Sequence, residues 1–100
     1  METTEGLVIG QVVKSKAGRD KGRTMMILDI VDSNHVLVVD GDLRRLDKAK
    51  RKKIKHLIVY NIILKEVRQQ LLSGGKANNA FIRKALKPYC EDNSERMEVE

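Results

Sequence analysis

The sequence has few of the residues on which disulfide frameworks and metal sites depend. It contains one cysteine and two histidines in 100 residues. The single thiol, Cys90, cannot form an internal disulfide, and the three candidate ligands are too far apart in sequence to match a known metal-ligand spacing. We therefore predict no metal site, and the cysteine usage suits a reducing compartment.

Catalytic motifs are also missing. The chain has neither a phosphate-loop pattern with its lysine–serine step nor a nucleophile–base signature. Four aspartates are predicted to be turn or strand-end residues instead of a catalytic pair: Asp29, Asp32, Asp40 and Asp42. We predict that the protein is not an enzyme and that it needs no cofactor.

Long apolar runs are missing too. No run approaches the roughly 18 residues that a membrane-spanning helix needs. The N-terminal letters METTEG lack the basic start and apolar middle of a signal peptide. We expect a soluble, cytoplasmic protein that does not interact with membranes.

Positive charge is what the sequence has in excess, and it is concentrated. The formal net charge is +6, and residues 41–56 alone contain 8 basic and 2 acidic side chains. A second cationic segment, residues 14–23, has five cations against one acid, with Gly18 and Gly22 near its tip. Such concentration predicts a polyanionic partner, because Lys and Arg displace counterions from a phosphate backbone. Taken alone, the lysine run would also fit a solvated connector.

Aromatic residues limit the kind of nucleic acid that the chain can recognise. There are only three, Tyr60, Phe81 and Tyr89, and none lies in the cationic segments. Proteins that read single strands use aromatic side chains on which bases stack. We therefore predict recognition of folded RNA by shape and phosphate position, and we expect Tyr60 and Phe81 to pack in the core or against a helix.

Hydrophobic patterning predicts a mainly β fold. Five short strands are expected at residues 7–15, 23–30, 35–39, 43–46 and 56–60. Asp40 and Gly41 form a two-residue hairpin signal before the fourth strand, and residues 47–55 are predicted to be a basic connection. Five short strands with tight turns indicate a small SH3-like barrel.

The second half of the chain predicts a helical extension. Several strands are continuously apolar instead of alternating, so we expect helices to cover the outer face of the sheet. A helix over residues 61–73 would end at Gly74 and Gly75, and a second would begin at Asn78 or Asn79 and end at Pro88. The predicted units are a barrel at 6–61, a helical hairpin at 62–89 and an acidic, disordered tail at 90–100.

One ordered series of residues carries a family resemblance. It begins with Gly10, Val12, Val13, Lys14 and residues 17–23, and continues through residues 29–32, 36–38, 40–41, 44–45 and 55–57. Over the first 57 residues, this series resembles the KOW motif of ribosomal and transcription-factor proteins. The chain is similar to the archaeal and eukaryotic large-subunit ribosomal protein of the "L-fourteen-e" type and to small bacterial KOW-domain proteins. It departs from many KOW sequences at residues 24–26, where those have a further glycine. The resemblance implies a KOW-type barrel in a ribosomal or ribosome-associated protein that binds ribosomal RNA.

We predict RNA contacts from the two cationic segments and the residues around them. These are Lys14, Lys16, Arg19, Lys21, Arg23, Arg44, Arg45, Lys48, Lys50, Arg51, Lys52, Lys53, Lys55 and His56. The imidazole of His56 fits either an RNA contact or a partly buried structural role. The expected partner is structured RNA of the large ribosomal subunit, with a ribosomal protein as a further partner, and the protein is expected to be monomeric off the ribosome. The alternative is a KOW adaptor that docks on a protein partner in translation or transcription.

Overall fold

The structure is a computed structural model that describes residues 3–75 and 78–99, with side chains described as far as Cys90. It contains five strands, β1 (Gln11–Ser15), β2 (Thr24–Ile30), β3 (His35–Val39), β4 (Lys50–Lys53) and β5 (Leu57–Ile63). Two helices follow, α1 (Lys65–Leu72) and α2 (Asn79–Val99), and 3-10 turns occupy Leu46–Lys48 and Ile54–His56. The predicted class, mainly β with a helical extension, is confirmed.

The strands form one antiparallel sheet in the order β4-β3-β2-β1-β5. Val13 faces Met25 on β2 and Val59 on β5, so β1 lies between the two. The sheet curls around a buried cluster to which both edge regions contribute: Leu7, Val13, Met25, Ile27, Val36, Val38, Ile54 and Leu57. This cluster is the interior of a small barrel-like fold.

The outer face of the sheet is buried as well. Val12, Met26 and Val39 precede or follow interior residues by one position and therefore point to the opposite face. There they pack against α1 and α2 through Leu64, Val67, Ile82 and Leu86. The helices thus cover the outer face, which explains the continuous apolar runs and confirms that prediction. Tyr60 and Phe81 pack at the edge of this second cluster, as expected.

The fourth strand does not lie where the sequence predicts it. Residues 43–46 form part of a loop, and the strand is Lys50–Lys53, inside the run predicted to be a connection. The loop is stable because the carboxylate of Asp40 accepts the backbone N–H groups of Asp42 and Arg44, each at 2.8 Å. Lysine has a low β propensity, but it is common on edge strands, where its charge prevents pairing with other chains.

The ends of the helices agree with the sequence prediction at two points and differ at two. The first helix begins at Lys65 and not at residue 61, because β5 continues to Ile63. The side chain of Asn78 accepts the backbone N–H of Phe81 at 2.8 Å and caps α2, and Gly74, at φ +77°, lies just after α1. The prediction that Pro88 ends the second helix is wrong, because α2 continues through it. The missing N–H of proline removes one helical hydrogen bond, and α2 tolerates this loss at Pro88. The side chains of residues 91–100 lie outside the described residues, so disorder of the acidic tail stays a prediction.

Two glycines let the helices approach the sheet. At Gly41, φ +79°, an added Cβ would clash with the carbonyl oxygen of Asn79 and lie 2.9 Å from the backbone nitrogen of Arg83. At Gly10, φ +93°, an added Cβ would lie 2.9 Å from the Cβ of Arg68 in α1. The helices therefore pack directly against glycine backbone, because no side chain lies between the helix and the glycine at these two points.

Candidate nucleic-acid interface

The first cationic segment forms a folded loop between β1 and β2, here called the β1–β2 loop (residues 16–23). Its base is closed by hydrogen bonds from the N–H of Gly22 to the carbonyl of Ser15, at 2.7 Å, and from the N–H of Ser15 to the carbonyl of Arg23, at 3.0 Å. Gly18 and Gly22 have φ values of +76° and +86°, which favour glycine. The loop therefore has a defined shape that presents its cations.

The single acid of the β1–β2 loop is buried and paired. The carboxylate of Asp20 accepts from Arg44, with Nε at 3.1 Å and Nη2 at 3.0 Å, and lies 3.7 Å from Nζ of Lys52. The ammonium of Lys52 also donates to the hydroxyl of Ser15 at 3.3 Å. Asp20 thus joins the loop to the β3–β4 connection and to edge strand β4, which brings the two predicted cationic segments together.

A second buried acid has a similar role. Asp40, only 6% exposed, accepts a hydrogen bond at 2.9 Å from Nη1 of Arg23 in addition to its two backbone donors. The guanidinium of Arg23 is 34% exposed, so it is held in place but still reaches solvent. Asp20 and Asp40 are therefore both removed from the surface by internal pairing, whereas Asp42 and Asp47, the two acids of residues 41–56, are exposed.

Strand β4 divides the lysine run between two faces. Lys52 pairs with Val36 and Lys50 with Val38 on β3, so these two lysines share the interior side of the sheet. Arg51 and Lys53 point to the other side.

The turn before β3 lies beside this strand, where Arg51 is 3.6 Å from Asp32. The backbone N–H of Asn34 and the side chain of His35 hold the pKa of the Asp32 carboxyl below its ordinary value. Asp32 is thus a turn residue, as predicted.

The fourteen predicted residues therefore fall into groups with different roles. Arg23, Arg44 and Lys52 are engaged in internal ion pairs, Arg51 pairs weakly with Asp32, and Lys14 and His56 are partly buried. The remaining eight are exposed and have no ion pair among the described residues. We call these eight the cationic surface: Lys16, Arg19, Lys21, Arg45, Lys48, Lys50, Lys53 and Lys55.

The backbone of His56 is part of the sheet, because its carbonyl accepts the N–H of Lys16 at 2.9 Å. This bond places Lys16 beside the end of the lysine run. The imidazole itself makes no side-chain hydrogen bond among the described residues. The choice between an RNA contact and a structural role for this side chain stays open.

A groove of about 980 Å³ separates the β1–β2 loop from α2, and we call it the loop–helix groove. Lys14, Lys21 and Arg23 line one wall. The opposite wall carries Arg83, Lys84 and Lys87, none of which the sequence analysis selected. Arg83 and Lys84 are adjacent and Lys87 follows three residues later, but apolar residues flank them, so no long charge run marks them. Their spacing of i, i+1 and i+4 would have placed them together once the second helix was assigned.

The pairing of Asp20 gives a first prediction. Replacing it in the variant Asp20→Asn should lower the free energy of unfolding by about 2 kcal/mol, because Arg44 and Lys52 would keep their charges next to a neutral amide. The control Asp42→Asn changes an exposed aspartate whose carboxylate has no partner among the described residues, and should change stability by less than about 0.5 kcal/mol. Urea denaturation of both variants measures the difference. Equal stabilities would show that the ion pairs of Asp20 contribute nothing.

Comparison with known proteins gives a similarity that bears on function. The chain matches no protein-family profile. It is 28% identical over 74 residues to the "Putative ribosome-binding protein YbzG" of Bacillus subtilis (strain 168). The alignment covers 74% of this chain and the whole of that protein. Within the described part of the chain, no helix is long and apolar enough to cross a membrane, and no three His, Cys, Asp or Glu side chains are grouped as metal ligands.

Proposed function

We propose that this protein is a non-catalytic, ribosome-associated RNA-binding protein that contacts structured ribosomal RNA through its cationic surface. The observation that carries the proposal is the asymmetry of charge. Asp20 and Asp40 are 5% and 6% exposed and internally paired, whereas eight cations beside them are exposed and unpaired among the described residues. A surface of this kind fits a phosphate backbone better than it fits a neutral partner.

The fold supports this use of the cations. The loop is closed at its base and held to β4 by Lys52, so part of the entropic cost of ordering it has been met before RNA arrives. Lys50 and Lys53 lie on opposite faces of an edge strand, where they can reach phosphates on either side. Long-range attraction would come from the exposed lysines, and the paired arginines would hold the loop in position.

The mode of recognition follows from the aromatic residues. Tyr60, Phe81 and Tyr89 are partly buried and pack at the second core cluster. They are therefore not available as stacking platforms beside the cationic surface. Recognition of a folded RNA by its phosphates fits this arrangement.

We infer association with the ribosome from the similarity to the Bacillus protein together with the KOW resemblance. The Bacillus protein is named a "Putative ribosome-binding protein", and the alignment with this chain covers its full length. This similarity supports ribosome association. Contact with RNA of the large subunit, a cytoplasmic location and a monomeric state off the ribosome are parts of our proposal.

Salt dependence tests the RNA contact. Affinity for a short RNA hairpin should fall linearly on a logarithmic plot against salt, by a factor on the order of 10³ between 50 and 200 mM if about six phosphates are contacted. Fluorescence anisotropy at several salt concentrations measures this slope. Absence of binding at 50 mM salt, or binding that does not respond to salt, would contradict the proposal.

A protein-docking adaptor is a second candidate, and one feature favours it. Among residues 3–75 and 78–99, edge strand β5 pairs with no strand except β1, and Ile58 and Ile63 on it are 41% and 38% exposed. A partner strand could pair with this free edge. The variant Ile58→Glu should then release the protein from ribosomes while leaving RNA hairpin binding unchanged. The same ribosome affinity as the wild type would reject the adaptor.

A further inference from the structure

We propose that the loop–helix groove holds a stretch of phosphate backbone from one RNA strand, so that α2 is part of the RNA site as well as a cover for the sheet. The inference rests on the proposed function and assigns it a second contact region. It adds Arg83, Lys84 and Lys87 to the residues that the cationic surface contributes. None of these three belongs to the segments from which RNA contacts were predicted.

The charges of the groove favour a polyanion. Seven cations line it, four from the first half of the chain and three from α2, against three aspartates. Two of those aspartates, Asp20 and Asp40, are nearly buried and engaged by arginines, so Asp42 is the one exposed acid among the described lining residues. The volume of about 980 Å³ is at the upper end of the roughly 300–1,000 Å³ that small-molecule pockets span. A segment of polymer is therefore a better match for it than a single small anion.

Each wall contains one arginine that the protein already positions. Nη1 of Arg83 donates to the carbonyl of Gly41 at 2.9 Å, and Nη1 of Arg23 donates to Asp40 at 2.9 Å. A guanidinium has five N–H donors, so both retain donors for phosphate oxygens. Because these side chains are fixed before binding, a phosphate between them costs less conformational entropy than one held by two mobile lysines.

The groove adjoins the cationic surface, and this continuity favours an RNA strand as its ligand. Arg19 and Lys21 belong to that surface and also line the groove, so the groove is continuous with the cationic surface. A backbone that crosses the loop would meet exposed lysines of β4 on one side and α2 on the other. An isolated phosphate would use only one of these two regions. An RNA strand uses both, and it is the partner that the rest of the molecule favours.

The test uses the full chain and compares two variants with the same change of charge. Lys84→Glu alters the helix wall of the groove, and Lys65→Glu alters an exposed lysine of α1 that does not line it. Affinity for the RNA hairpin at 100 mM salt should fall roughly tenfold more for Lys84→Glu than for Lys65→Glu. The salt slope should also decrease by about one for Lys84→Glu, as expected when one phosphate contact is lost. Circular dichroism checks that both variants are folded.

The outcomes separate this inference from the proposed function. If the wild type binds RNA and Lys50→Glu weakens binding, but Lys84→Glu behaves like Lys65→Glu, the groove proposal is overturned and the cationic surface remains. If the wild type does not bind the hairpin at all, both proposals fail. If poly-glutamate binds the wild type more tightly than the hairpin does, the occupant is an acidic polypeptide and the RNA assignment is overturned. A selective loss for Lys84→Glu, together with ultraviolet crosslinks from RNA to α2, supports the inference.

Discussion

The variant Gly41→Ala is expected to lose about 3 kcal/mol of folding free energy, which corresponds to a melting temperature roughly 15 °C lower for a domain of this size. Two causes add. The left-handed backbone at φ +79° disfavours alanine by roughly 1–2 kcal/mol. The new methyl group would also meet the carbonyl of Asn79, so α2 would have to move away from the sheet. Overpacking of this kind typically costs about 1–3 kcal/mol.

The matched control is Gly22→Ala. Gly22 has nearly the same backbone conformation, φ +86°, but no atom lies within 4 Å of the position that its Cβ would take. It should therefore show only the backbone cost, about 1 kcal/mol or roughly 5 °C. Differential scanning calorimetry of both variants isolates the contribution of helix docking. If the two variants melt at the same temperature, α2 does not depend on close approach at Gly41.

The largest expected effect on binding is that of Lys50→Glu combined with Lys53→Glu. Both lysines are exposed and belong to the cationic surface. Their reversal should weaken RNA hairpin binding on the order of a hundredfold at 100 mM salt, because two phosphate contacts become repulsive. Lys52 is left unchanged on purpose, since it pairs with Asp20 and its reversal would disturb the fold.

A charge-matched variant distinguishes a local site from a general effect of net charge. Lys65→Glu, Gln69→Glu and Gln70→Glu together lower the net charge by the same four units, all at exposed positions of α1. The weaker long-range attraction to RNA should reduce the affinity of this variant only a fewfold. If this variant and the double variant lose affinity equally, binding depends on net charge alone. The lysine run would then not be a site.

The two-sided burial of the strands was predictable from local sequence. Val12 and Val13 are both apolar, and a strand must send them to opposite faces. One face is always the barrel interior, so the other requires a cover, and the amphipathic residues after β5 are the only long segment that remains. The alternation of side chains between the two faces of a strand depends only on neighbouring residues, so the sequence was sufficient to predict this part of the fold.

The fourth strand was misplaced for a reason that lies outside local sequence. Asp40 and Gly41 form a typical hairpin signal. The carboxylate of Asp40, however, accepts hydrogen bonds from the backbone N–H groups of Asp42 and Arg44, which stabilises a loop at this point. The fourth strand forms instead in the lysine run, although lysine is a poor strand former. It forms there because Lys50 and Lys52 pair with Val38 and Val36 of β3. Pairing between distant residues overrides propensity here.

Gly41 shows the same limitation. The sequence predicts a turn at this glycine, and the positive φ of Gly41 agrees with a turn. Its second role, giving space to α2 near Asn79, depends on a contact between segments far apart in the chain. No pattern within either segment carries this information.

The exposure of most of the selected cations was predictable from the sequence, but the pairing among the others was not. Exposure of the lysines in a charge run is expected from composition, and eight of the fourteen selected residues are exposed and unpaired among the described residues. The sequence could not show that Asp20 would be buried between Arg44 and Lys52, because that cluster joins three separate segments. Nor could it show that α2 faces the β1–β2 loop across a groove.

The most direct test of the central claim is co-sedimentation of this 100-residue chain with ribosomes of Bacillus subtilis, the organism of the relative, across a series of salt concentrations. We predict that the protein sediments with the large subunit at 50 mM salt, dissociates progressively as salt rises, and crosslinks to ribosomal RNA through the β1–β2 loop and β4. A protein that stays in the supernatant at low salt and gives no RNA crosslinks would contradict the account.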